Sequence, residues 1–147
     1  MLRSVLGVIV AYILTFILQV AAFMTIYELV GADWSFKPAS YQASTRWTAM
    51  QFVVILATCI IGGLICAVIA KGGKAPLVLA AVVLVLGFAL AALGTALRPA
   101  DTGEVRTGSV PNMEAMSKAR HPMWVVFLGP VVGAVGVVIG GKLRRRT

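Results

Sequence analysis

Residues 47–97 read WTAMQFVVILATCIIGGLICAVIA, then KGGK, then APLVLAAVVLVLGFALAALGTAL. The two long pieces carry no charged residue. A helix rising 1.5 Å per residue needs about 20 apolar residues to cross a bilayer, and each piece exceeds that. In the link, Lys71-Gly72-Gly73-Lys74, glycine suits the left-handed end of one helix, and Pro76 suits the first turn of the next. So short a link predicts that the two spans are antiparallel neighbours.

The same reading extends to both sides. Residues 4–27 and 122–141 are also charge-free and apolar. The fold class expected is an all-α integral membrane protein: one four-transmembrane-helix bundle over residues 1–147. Its spans are 4–27, 47–70, 75–97 and 122–141. Its long connections are 28–46 and 98–121, its short hairpin 71–74, and its basic tail 142–147. Hydrophobic residues are 60% of the chain and charged residues 12%, where a soluble domain has about a quarter charged. No room remains for a separate soluble domain. Arg3 before the first apolar run and the small residues Val20-Ala21-Ala22 are features of a cleaved leader. The run is too long for that and continues through Met24 and Ile26, so a retained span is expected.

The formal charge of +8 sits at span ends, where anionic lipid and topology rules explain it; no nucleic-acid partner is expected. Arg3, Lys71, Lys74, Lys142, Arg144, Arg145 and Arg146 occupy the two termini and the short hairpin, with no acid among them. All the acids, Glu28, Asp33, Asp101, Glu104 and Glu114, fall in the two long connections. This bias predicts that both termini are cytoplasmic. Tyr27, Trp34, Tyr41, Trp47 and Trp124 then mark the opposite interface, with Trp34, Trp47 and Trp124 as depth anchors.

In the first connection Pro38 stops extension and Ser40 or Ser44 can cap a helix starting near Tyr41. In the third, residues 111–118 read as a short surface helix. Val110, Met113 and Met116 share a face there, and Glu114 can pair with Lys118. Cys59 and Cys66 are two turns apart on one helix, too far for a disulfide. They read as small packing residues.

The intramembrane polar residues are Gln19, Thr15 and Thr58. The amide of Gln19 needs a partner at depth and should face another helix. Interhelical bonding is the favoured role; lining a solute path is the other. Gly62 and Gly87 lie on spans two and three, and Gly129, Gly133, Gly136 and Gly140 on span four. Small residues at this spacing let helix backbones approach closely in lipid. Four on one span exceed a single intramolecular contact, so a face toward a second protein is expected. The one polar group with chemical potential is Asp101, Glu104, Glu114, Arg120 and His121, read mainly as a solvated loop face. No catalytic or metal-binding motif is found, so no catalytic residue, metal or cofactor is expected. A lipid or pigment between the helices is left open. No charged residue lies mid-span, which argues against an ion-coupled transporter.

Gly31-Ala32-Asp33, Ser44-Thr45-Arg46-Trp47, Asn112-Met113-Glu114-Ala115-Met116 and Gly133-Ala134-Val135-Gly136 before a basic tail give the chain its resemblance. It resembles small bacterial four-span inner-membrane proteins that have no assigned activity. The resemblance implies a bacterial inner-membrane location and carries over no residue role. The four-span small multidrug exporters are a poorer match, because they carry a glutamate inside the first span. The function expected is that of a non-enzymatic accessory or scaffolding subunit, with the bilayer and a membrane-protein partner or second copy as its contacts. A small oligomeric transporter or channel is the alternative, and a membrane enzyme using Glu114 and His121 comes third.

Overall fold

A computed structural model describes residues 2–71, 73–97 and 105–146, with side chains as far as Arg144. The elements are α1 (Leu2–Ser35), α2 (Thr45–Ile69), α3 (Ala75–Ala96), α4 (Asn112–Lys118) and α5 (Met123–Arg146). All but α4 are long and apolar enough to cross a membrane. The chain is a four-helix membrane bundle. Both termini and the short hairpin lie at one end of it, called here the hairpin end. The first connection and the described residues of the third lie at the other, the loop end.

Two helices outrun their apolar runs. α1 continues past Tyr27 to Ser35, with a break at Gly31 (φ 75°, ψ 177°). A side chain is strained at such a φ, so glycine at 31 lets the chain turn. The Ser35 hydroxyl then bonds back to the Gly31 carbonyl at 2.8 Å. α5 similarly carries its helix into the basic tail. The long first connection therefore shrinks to residues 36–44. α2 begins at Thr45 rather than near Tyr41, with Ser44 as its cap. The Ser44 hydroxyl accepts from the Trp47 N–H at 3.0 Å and donates to the Trp34 carbonyl at 2.7 Å. It thus satisfies a helix-start donor and ties α1 to α2.

The packing order around the bundle is α1, α2, α5, α3. α5 packs most extensively on α2 and next on α3, and α1 packs mainly on α2. α2 and α3 touch only lightly, which corrects the expectation that the short hairpin makes them close neighbours. α5 is wedged between them. Glycines make the wedge possible, because a Cβ at each would strike a neighbour. At Gly136 it would meet Cys59 Cβ and the Leu56 carbonyl at 2.9 Å; at Gly140, the Ile60 backbone; at Gly141, the Pro76 ring. Gly63 of α2 meets the Val137 backbone, and Gly87 of α3 meets the Pro130 ring at 2.6 Å. Gly62 of α2 receives Thr15 of α1.

The expected face toward a second protein is therefore corrected for Gly133, Gly136 and Gly140. All three are buried within the chain, because α5 presents one flank to α2 and the other to α3 and so needs small residues for two contacts. The core around this wedge contains Ile55, Cys59, Cys66, Leu79, Ala134 and Val137. Both cysteines are free and buried.

The loop end carries a second, aromatic core. Tyr27, Ala32, Phe36 and Ala115 are buried there, with Trp47, Val110 and Ala119 packed against them. Rings meet edge to face: Tyr27 with Trp47 at 6.1 Å, Tyr27 with Phe36 at 6.3 Å, Trp34 with Trp47 at 6.4 Å and Phe36 with Tyr41 at 5.9 Å. That geometry suits the aromatic quadrupole. Of the three expected depth anchors, only Trp124 is exposed; Trp34 and Trp47 are half-buried in this cluster.

Backbone bonds knit the connections together. The Ala43 N–H donates to the Arg120 carbonyl, and the Arg120 N–H to the Tyr41 carbonyl, each at 2.9 Å. The Tyr27 hydroxyl donates to the Val110 carbonyl at 2.7 Å. α4 packs through Ala115, while Met113 points outward at 72% exposure. Of the three residues expected to share a face, Val110 packs on the aromatic cluster, while Met113 and Met116 are exposed. Small Ala115 lets the short helix sit close to the aromatic floor.

Candidate functional site: an intramembrane cleft

α1 and α5 stand diagonally across the bundle. Among the described residues no Cα of one helix lies within 8 Å of a Cα of the other. The space between them is a cleft of about 320 Å³, within the range of small-molecule sites. Its α1 wall includes Thr15, Phe16 and Gln19. Its α2 and α3 floor includes Gln51, Ile55, Leu79 and Val83, and its α5 wall runs from Val125 to Val137.

α1 and α3 border the cleft on its remaining side. These helices face each other at the hairpin end, where Ser4, Val5, Val8 and Ile9 lie opposite Lys74, Ala75 and Val78. Toward the loop end both turn apolar side chains outward: Phe16 and Ile17 on α1, and Val85, Leu90 and Leu93 on α3. In a bilayer these positions meet lipid, and Phe16, which also lines the cleft, carries that exposed surface to its edge.

The lining is graded along the bundle. Toward the hairpin end it is mainly apolar and closed, with Leu79 1% and Val137 0% exposed and the Tyr12 hydroxyl the polar group nearest that end. At the loop end Gln19, Gln51 and His121 converge. Gln51 lies about two turns into α2, and His121 sits just before α5. A second chamber of about 180 Å³ adjoins them under α4, between Phe23, Tyr27, Phe36, Trp47, Asn112 and Met116. Gln51 and His121 line both chambers, so the two adjoin at a polar waist. The Gln51 Oε1 is buried and accepts no hydrogen bond. A buried amide oxygen without a donor is unfavourable by about 1–3 kcal/mol, and such groups often mark where a ligand or water binds.

The three expected intramembrane polar residues separate in this structure. Gln19 and Thr15 line the cleft. Thr15 also donates to the Ala11 carbonyl at 2.7 Å, which quiets its hydroxyl. Thr58 is buried away from the cleft and bonds the Val54 and Ile55 carbonyls of its own helix. Gly129, Gly133 and Gly87 border the space, while Gly62, Gly136 and Gly140 serve helix contacts.

The loop cluster also divides. Asp101 and Glu104 lie outside the described residues. Glu114 accepts from the Tyr41 hydroxyl at 3.4 Å and pairs with Lys118 at 3.1 Å, and it lines neither chamber. Only His121 reaches the cleft. Gln51 was readable as one polar residue on a face of span two. Its convergence with His121 and Gln19 was not, because no local signal joins positions 32 and 70 residues apart. Among the described residues no group of three His, Cys, Asp or Glu side chains could hold a metal. Compared with family models, curated proteins and solved structures, the chain matches none.

Proposed function

We propose that this protein is a non-enzymatic integral membrane component that holds a membrane-soluble molecule in the cleft between α1 and α5. One observation carries the reading: a space that reaches the exposed surface at Phe16 and is mainly apolar toward its closed end has two amides and an imidazole in its lining toward the loop end. That is the polarity of an amphipathic guest. The lining supplies no paired acid and base for chemistry. The closed hairpin end speaks against a continuous solute path.

Filling the cleft tests this. A Cβ at Gly129 would meet only the Ile55 Cδ1, at 3.8 Å, so Gly129→Leu should project into the space without displacing backbone. Native mass spectrometry of wild-type protein, taken gently from its own membranes, should show a retained small molecule. Gly129→Leu should fold normally and lose most of it. Bare protein in both samples would overturn the reading.

A second reading, an accessory subunit of a larger assembly or a homo-oligomer, draws on the exposure of α1 and α3, where only 17% of the most apolar stretch of each helix is buried. A stoichiometric protein partner, recovered with the tagged chain in mild detergent, would support it.

The location we propose is a bacterial inner membrane with both termini in the cytoplasm. Single cysteines at exposed Ser109 and Lys142 test the orientation. An impermeant maleimide applied to intact cells should label Ser109→Cys and spare Lys142→Cys. The reverse pattern would invert the topology.

A further inference from the structure

We infer that the guest is an uncharged amphiphile with a free hydroxyl in its headgroup, of the diacylglycerol kind, seated with that hydroxyl on Gln51. This deepens the binding reading above and rests on it. Three observations converge.

First, the lining of both chambers contains no Lys, Arg, Asp or Glu among the described residues. Its polar contribution comes from amides, hydroxyls and one imidazole. An anionic phosphodiester would be drawn from water and other headgroups into a space with no cation to meet it, which is strongly unfavourable. The chain does not lack cations; it places them elsewhere. Lys71, Lys74, Lys142 and Arg144 are exposed at the hairpin end. Arg106 is turned to Asp33 and the Gly108 carbonyl.

Second, the Gln51 Oε1 is buried and lacks a donor. A guest carbonyl or ether cannot satisfy it, because those groups only accept. A hydroxyl can donate to this oxygen and still accept from an amide N–H. Gln19 on α1 and Asn112 above the waist supply further amides along the two chambers. The Asn112 side chain is itself committed to the Met24 carbonyl and Glu28, each at 3.1 Å, which leaves Gln51 and Gln19 as the available amides.

Third, the shape allows the tails to leave. Phe16 lines the cleft and is also 62% exposed, so on that side the cleft reaches the lipid-facing surface. A headgroup at the waist can therefore keep its acyl chains partly in the apolar cleft and partly in the bilayer.

The test uses full-length protein in detergent micelles, stripped of co-purifying lipid. It is titrated with dioleoylglycerol brominated on its acyl chains, and quenching of Trp fluorescence is read. Trp47 lines the outer chamber, so an occupant should quench it saturably. Brominated phosphatidylglycerol and the 3-acetyl ester of the same diacylglycerol are the comparison probes. The acetyl ester should bind about tenfold more weakly, the loss expected when one buried hydrogen bond goes unmade; phosphatidylglycerol, which keeps headgroup hydroxyls, should lose at least as much because its phosphodiester meets no Lys or Arg in the lining. Gln51→Leu removes the unpartnered oxygen, so it should fold at least as well as wild type and lower diacylglycerol affinity about tenfold. Equal binding of the acetyl ester, tighter binding of phosphatidylglycerol, or no saturable quenching by any probe would each overturn the inference. Failure here is separable from failure of the binding reading. A phospholipid retained from native membranes by wild type, and lost in Gly129→Leu, keeps the cleft and removes only the hydroxyl assignment.

Discussion

Gly140→Leu is expected to lower the stability of the bundle by about 3 kcal/mol, at the upper end of overpacking in a close-packed interior. The side chain would enter where α5 crosses α2. A Cβ there falls 2.8 Å from the Ile60 carbonyl carbon and 2.9 Å from the Leu64 nitrogen. Both are backbone atoms of a regular helix, so no rotamer change relieves the clash; the helices must separate. In lipid, close packing is the main attraction between spans, and separation would also disturb the Gly63–Val137 and Gly136–Cys59 contacts nearby. The gain in helix propensity from replacing glycine is under 1 kcal/mol and does not offset this.

Gly94→Leu is the control. It lies on α3 with nothing within 4 Å of its Cβ position, so it should be neutral or slightly stabilising. Thermal unfolding in micelles distinguishes the two. If Gly140→Leu melts with wild type, the α2–α5 wedge is wrong. If it keeps its melting temperature and changes only its oligomeric state, the glycine stripe faces a second protein after all.

Arg106→Ala should free the segment from Val105 to Pro111 and raise amide hydrogen exchange there about tenfold or more, the effect of losing a bond or two that holds a local unit. Arg106 is an unusual residue for this chain: a guanidinium with its side chain only 5% exposed. It bridges the Asp33 carboxylate at 2.6 Å and the Gly108 carbonyl at 2.5 Å, and so pins the third connection to the end of α1.

The ion pair is not the main source of that hold. The Asp33 side chain is 92% exposed, and water screens such a pair to a small net worth. The burial of the Arg106 side chain and its bond to Gly108 matter more. Asp33→Asn should therefore have much the smaller effect, and added salt should change little. Arg106→Lys should not restore protection, because an ammonium lacks the planar fork that serves two acceptors at once. If Asp33→Asn loosens the segment as much as Arg106→Ala does, the charge pair is the fastener and burial is secondary.

Much of this architecture follows from local chemistry. The start of α3 beside Pro76 and the capping of α2 by Ser44 follow from the few residues around each helix end. So does the short helix with its Glu114–Lys118 pair. The overrun of α1 to Ser35 was less legible. Glu28 and Asp33 end the apolar run but do not end the helix, since an exposed helix outside the bilayer core tolerates charge. The neighbours of the glycines were not legible at all. Spacing on α5 marks a surface of close approach, yet an identical stripe serves a second chain or a helix of the same chain equally well.

The sequence by itself determined that the chain spans a membrane four times. Length of charge-free segment against bilayer thickness is a one-dimensional comparison, and nothing in the tertiary arrangement can alter it. Only the tertiary structure decided that α5 lies between α2 and α3, that α1 and α5 stand apart, and that Gln19, Gln51 and His121 border one space. The reason is physical. A helical period tells which residues share a face, but between apolar helices in lipid no hydrophobic force selects the partner of that face. Backbone approach at a handful of glycines makes the selection, and the cleft is the volume left between the helices that those contacts hold apart.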